Sequence, residues 1–245
     1  MLTENEIKTY ETEGYLVPNF TMPEKDLLEI ETLHNSLVKK FPKFINYCPA
    51  VLLHDERFLK YCLNNEILNI IEQLIGKNFA LWNSSFFAKP AFNGYATPWH
   101  QDGQYWPIKP LATCSVWLAI DDATSENGCL KFIKGSHKEK TLKKHKYNKS
   151  KSLTLNQEIL DSKYIEKNVV NLILKRGQIS LHDVYMIHGS EENRSPNSRR
   201  AMTMRFMPTT SVFDHQFVFN TKDFSIKKIY QARGIDKSLK NNIVQ

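Results

Sequence analysis

After residue 76 the chain changes texture, and that change narrows the fold more than any other feature. Short apolar runs follow one another, separated by Gly, Pro and Asn. Residues 79–92 are rich in aromatics, with Gly94 beyond, and read as one or two strands. Residues 113–120 (TCSVWLAI) read as a buried strand, residues 129–133 and 169–174 as shorter ones. Gly177 turns the chain into an apolar run at 179–187, which ends at His188. In residues 199–207 (RRAMTMRFM), Ala201, Thr203, Arg205 and Met207 would share one face of a strand. Strands of this length without a βαβ rhythm predict a sandwich or barrel.

The first 76 residues read as helical. Thr3 is placed to cap a helix that begins with Glu4 and Glu6. Between 23 and 40 the apolar positions Leu27, Leu28, Ile30, Leu33 and Leu37 fall at helical spacing. Residues 55–63 and 65–75 read as two more helices, with Asp55 as a cap and Gly76 closing the second. The expected organisation is one domain over 1–245: a helical part at 1–76, a β core at 77–212 and a tail at 213–245. A lysine-rich insert near 134–167 is too long and polar for an ordinary loop and reads as a lid.

Charge and cysteine content exclude more than they assign. The net charge is +7, and much of the excess lies at 134–151. That stretch has Tyr147 as its one aromatic and no accompanying nucleic-acid motif, so a solvated loop is expected and no nucleic-acid partner. A weaker lean is toward attracting an anionic small molecule. Cys48, Cys62, Cys114 and Cys129 form no CxxC pair and read as buried, reduced thiols. With no secretory signal and no apolar run of transmembrane length, the expected location is cytoplasmic, with no membrane partner.

The residues that carry chemistry begin at Trp99-His100-Gln101-Asp102. His and Asp two apart on an extended chain project to one face. Ile187-His188-Gly189-Ser190 adds a second imidazole at a strand end. Two histidines and one carboxylate leave three octahedral positions open, which suits Fe(II) that must take a co-substrate and O₂. Zinc would more often be tetrahedral with a single open position. Downstream, Asn193 to Asn197 make a turn, and the strand starting near Arg199 is expected to return antiparallel beside the His188 strand. A guanidinium there, with the Ser190 hydroxyl, would hold a carboxylate. Arg199 and Arg200 point to opposite faces, so only one can serve.

The runs WHQDGQYWPI, CSVWLAIDDATSENGCLKFIKGSHK and HGSEENRSPNSRRAMTMRFMP, with GYLVPNF near the start, resemble the phytanoyl-CoA dioxygenase family. The likeness extends from about Gly14 to Thr210 and omits the insert and the tail after Phe213. It implies a double-stranded β-helix, a jelly-roll and cupin-like core, and dependence on Fe(II), 2-oxoglutarate and O₂. It implies His100, Asp102 and His188 as the metal ligands. It implies Arg199, with Ser190 and Trp117, as the 2-oxoglutarate site. The retained Asp102 favours hydroxylation over halogenation, since related halogenases carry a small residue there. The expected reaction is hydroxylation of an unactivated C–H of a small, anionic metabolite, with release of succinate and CO₂. A metal-dependent hydrolase on the same ligands and a catalytically silent cupin-like binding protein are the alternatives.

Other residues have two readings. Lys89 either reaches an anion in the cavity or extends outward. Tyr105 and Trp106 either line a substrate pocket or belong to the core. His182 reads as a supporting or core histidine, and His137 as a turn residue at the lid base. His34, His145 and His215 read as surface residues. Asp121, Asp122, Glu126 and Asn127 read as a structural turn.

Overall fold

The structure, a computed structural model, describes residues 1–161, 168–219 and 222–244. Thr3 and Glu6 cap helix Glu4–Glu13 reciprocally, each side chain taking a backbone N–H of the other. The apolar stripe of residues 23–40 forms helix Glu24–Lys40, which buries Leu27, Ile30 and Leu37. The run at 55–63 is broken more finely than expected. Asp55 accepts from Arg57 N and starts a 3-10 turn, Glu56–Phe58, and only Leu59–Cys62 is α-helical. Asn64 caps helix Asn65–Ile75, and Gly76 ends it at φ 83°.

The strands form the jelly-roll that the sequence predicts. A large sheet runs Tyr15–Leu16, Ile179–Asp183, Cys114–Ala119, Arg199–Pro208, Phe79–Lys89, Ile229–Arg233, Ile243–Val244. A smaller sheet runs Val169–Leu172, Leu130–Ile133, His188–Ser190, Thr97–His100. Alternation divides the large sheet's side chains between two cores. Val116, Leu118, Met202, Met204 and Phe206 meet the helices. Trp117, Ala119 and Ala201 face Leu130, Phe132 and Leu172 of the small sheet.

Two strand expectations are corrected. Residues 179–187 are not one strand. Asp183 accepts from Tyr185 N at 2.8 Å through its side chain and from Met186 N at 3.0 Å through its carbonyl, and this turn ends Ile179–Asp183. The chain then crosses to the small sheet, where His188 begins a new strand. The Arg199–Pro208 strand likewise does not return beside His188. It pairs with Phe79–Lys89 and Cys114–Ala119 in the large sheet. Its outward row of Met202, Met204 and Phe206 needs a helix-covered core, which only the large sheet offers. Arg199 therefore approaches the candidate metal ligands from across the sandwich.

The insert contains a hairpin, His145–Tyr147 paired with Gln157–Ile159. Residues 162–167 of this segment lie outside the described residues. The tail is more than an appendage, since Ile229–Arg233 extends the large sheet along Phe79–Lys89.

Candidate metal centre

Thr97–His100 and His188–Ser190 are neighbours in the small sheet, and their register sets His100 opposite His188. The rings lie 4.2 Å apart, centroid to centroid. Each has its Nδ1 against a backbone carbonyl two residues earlier: Pro98 O at 2.7 Å for His100, Met186 O at 3.0 Å for His188. A carbonyl can only accept, so the proton is assigned to Nδ1, and Nε2 keeps its lone pair for a metal. Extended Gln101 then carries the chain into a 3-10 turn, Asp102–Tyr105. The Asp102 carboxylate oxygens sit 3.5 Å from His100 Nε2 and 3.9 Å from His188 Nε2. Donor atoms of the three residues all lie within 4.8 Å of one another.

The electrostatics suit ligation. Burial alone would raise the Asp102 pKa, but His188, His100 and His182 more than offset it, and the carboxyl is held well below its usual range. Burial, reinforced by the nearby His100, pushes His188 well below the usual histidine value. An ionised carboxylate beside a neutral imidazole is the protonation state a divalent metal takes.

A narrow cavity over these ligands brings in Ser190 and Trp117, with Arg199 and Arg205. Ser190 lies two residues beyond His188 on the same strand. Arg199 is 3% exposed and stacks on Trp117, with the guanidinium carbon 5.4 Å from the ring centroid. It donates to Gly128 O and to Phe87 O, each at 3.2 Å. Gly128 sits at φ 80°, and a Cβ there would lie 2.9 Å from Lys89 Cδ, so this carbonyl needs a glycine behind it. Arg199 makes no ion pair among the described residues, and burial lowers its pKa to about 10, so it stays charged at neutral pH. Arg200, on the opposite face, pairs with Asp121 at 2.7 Å and with Glu31. Of the two arginines, the structure brings Arg199 to the cavity.

Tyr105 and Trp106 line a second cavity, of about 620 Å³, that adjoins the first through Arg205. Lys89 lines neither. It stands opposite Arg199 in the strand register, 1% exposed, and its Nζ donates to Tyr95 O. Its cavity reading therefore gains no support from the geometry.

His182 stands at the edge of the centre. Its Nε2 is 3.9 Å from Asp102 and its ring 5.1 Å from His188, and neither nitrogen has a hydrogen-bond partner among the described residues. His137 holds Glu11 O at 2.9 Å and ties the start of the insert to the first helix. His34 is not a surface residue. It is 3% exposed and stacked 4.3 Å from Phe86. His145 is likewise not free, since its Nε2 accepts from Gln101 N at 3.0 Å. Asn127 closes the expected structural turn, binding Thr124 N and Asp122 O.

Two residues with evident roles went unnoticed in the sequence. Gln101 is fully buried and clasps the insert over the ligands: its side chain donates to Thr141 O and Tyr185 O and accepts from Lys143 N. Arg205 lies on the same strand face as Arg199. That parity was visible in the sequence, but nothing marked the far end of the face as part of the site.

The family model described as phytanoyl-CoA dioxygenase matches residues 10–201. The human peroxisomal phytanoyl-CoA dioxygenase is 27% identical over 234 residues, covering 84% of this chain and 68% of that protein. Among solved structures, the apo form of the non-haem monooxygenase ThoJ superposes with a TM-score of 0.74 at 19% identity, covering 97% of this chain and 86% of that one. The epimerase SnoN, in complex with Fe³⁺, α-ketoglutarate and nogalamycin RO, superposes with a TM-score of 0.72 at 16% identity, covering 96% of each chain. At those identities the two superpositions speak to the fold.

Proposed function

The chain belongs to the phytanoyl-CoA dioxygenase family of iron- and 2-oxoglutarate-dependent oxygenases, and from that premise we propose that it hydroxylates an unactivated C–H of a small anionic metabolite. The observation that carries this reading is one cavity lined both by Asp102 and His188, two members of the His–Asp–His donor set, and by a buried guanidinium that makes no ion pair among the described residues.

His100, Asp102 and His188 would hold the Fe(II), since their free donor atoms converge in the protonation states that bind it. Fe(II), 2-oxoglutarate and O₂ together supply the oxidising power, one oxygen atom entering the substrate as hydroxyl and the other the succinate formed with CO₂. The chain's residues do the rest. Arg199 offers a charge-assisted fork to the distal carboxylate of 2-oxoglutarate, and Ser190 a hydroxyl beside it. Trp117 fixes the guanidinium plane. Gln101 draws the insert over the ligands and keeps water from that side. A hydrolase on the same ligands would have no use for the Arg199 anchor.

The test is the visible spectrum of oxygen-free protein with Fe(II) and 2-oxoglutarate. A weak charge-transfer band from the chelated keto acid is expected in wild type and should be absent in His188→Ala. No band in wild type, with tightly bound zinc instead, would overturn the oxygenase reading.

A further inference from the structure

The cavity of about 620 Å³ is walled by rings: Tyr47, Trp82, Tyr105, Trp106, Phe219 and Phe224. Among the described residues no aspartate or glutamate lines it, and two cations do, Arg205 and Lys227. Lys227 donates to Asn83 at 2.6 Å. Arg205 is placed differently. It is 5% exposed and belongs at once to this cavity and to the one over the metal ligands. Its guanidinium carbon lies 5.2 Å from the Trp106 ring centroid and 5.8 Å from that of Phe87. Among the described residues it makes one hydrogen bond, to Ser85 Oγ at 2.9 Å, and its Nε has no partner. No ion pair to Arg205 occurs among the described residues. A charge taken out of water without a counterion is strongly unfavourable unless a ligand supplies one. Asp102, an acid in the adjoining cavity, is committed to the metal centre.

We propose that Arg205 is the specificity-determining anchor for an oxyanion on the substrate, which is an amphiphilic free acid with an apolar or aromatic body in the ring-walled cavity. The acid group is a carboxylate, sulfonate or phosphonate, and all three present the oxygens a guanidinium binds as a fork. The oxyanion then lies on the metal side of the cavity and the apolar body away from it. Carbons close to the acid group are the ones presented to the metal centre. A thioester carries a neutral carbonyl at that end and leaves Arg205 unsatisfied, so free acids are taken in preference to acyl thioesters. The inference rests on the oxygenase reading for the place of reaction, but the binding it predicts can be measured without turnover.

Trp82 and Trp106 line the cavity, so intrinsic fluorescence reports its occupation. The probes are phenylacetate, octanoate and phenylphosphonate, with phenylacetamide and octanamide as neutral counterparts, added to oxygen-free protein carrying Fe(II) and 2-oxoglutarate. Each carboxylate should bind at least about tenfold more tightly than its amide, as expected of a desolvated charge-assisted contact. Arg205→Gln should erase that preference and Arg205→Lys should keep part of it, while both retain the charge-transfer band. Equal binding of acids and amides by wild type, binding of none of the acids, or an undiminished preference in Arg205→Gln would overturn the proposal. So would loss of 2-oxoglutarate binding in Arg205→Gln with acid binding intact, which would give Arg205 to the co-substrate. If Arg205→Gln does not fold, the wild-type preference and weaker acid binding by Arg205→Lys decide. Absence of the band in wild type would count against the oxygenase reading alone.

Discussion

The Arg199–Pro208 strand carries three arginines, and its two faces treat them in opposite ways. On the outer face Arg200 meets anions that the protein itself supplies, Asp121 and Glu31, under the cover of helix Glu24–Lys40. On the inner face Arg199 and Arg205 are more deeply buried, and each rests on aromatic rings and neutral oxygens. A fully partnered cation is part of the scaffold. On the proposed reading, a buried cation with donors to spare takes its counterion from solution, and neighbours in sequence divide between stability and ligand capture because a strand alternates.

The sharpest way to break this contrast is Arg199→Met. Affinity for 2-oxoglutarate should fall by roughly a hundredfold or more, the usual penalty for losing one side of a buried charged contact. Stability should not fall, because an uncompensated buried charge has been removed. Calorimetric titration of the metal-loaded protein, with denaturant unfolding of the same sample, reads both. Unchanged affinity would show that Arg199 is not the anchor.

Arg200→Met should give the mirror image. Stability should drop by about 1–3 kcal/mol, since part-buried Asp121 loses its cation and Glu31 one of its two, while 2-oxoglutarate affinity stays within about twofold. The pH profile adds a second readout. Burial alone would raise the Glu31 pKa, but the hydrogen bonds from Arg200 and Arg176 outweigh it and the group is lowered from 4.5. A carboxylate lowered in the fold contributes fully above its unfolded value and loses that contribution as pH falls through the folded one. Wild type should therefore lose stability on the acid side more steeply than Arg200→Met. Parallel acid limbs in the two proteins would remove Arg200 from the scaffold role.

The same alternation explains what could be read in the sequence and what could not. His100, Asp102 and His188 were legible because an HxD pair and a distal histidine are local patterns, and the small sheet sets His100 and His188 in register. Arg199 was legible as a residue but misplaced as a neighbour. The turn at Asp183 sends the chain to the other sheet, so the arginine reaches the centre across the core and not along a hairpin. The second cavity was legible only at Tyr105 and Trp106. Its walls come from positions as far apart as Tyr47, Trp82, Gln157 and Lys227, and no periodicity links them. The insert illustrates the same limit. Its length suggested a lid and its lysines a solvated loop, but nothing in the sequence showed that Gln101, between two candidate ligands, binds its backbone.

Lys89 tests the contrast most finely, because it is an inner-face basic residue that lines neither cavity. It faces Arg199 across the strand pair, and burial, with the repulsion of Arg199, lowers its pKa to about 6. At neutral pH it is then an uncharged amine held to Tyr95 O, and Arg199 alone carries the charge at that end. The sign follows from the proton count. Between about 6 and the ordinary 10.5 the unfolded chain binds a proton that the folded one does not, so stability rises with pH across that window. Below about 6 both states are protonated and this contribution is flat. Lys89→Met keeps the length and discards the titration. The variant should gain up to about 2 kcal/mol near pH 7, reduced by the lost hydrogen bond, and the gain should shrink toward pH 10. Its 2-oxoglutarate affinity should move by less than about threefold, since the amine offers that anion no charge. Unfolding curves at several pH values measure the first effect. A gain that does not vary with pH would mean that Lys89 stays charged, and the inner face would then hold three cations where the contrast allows two.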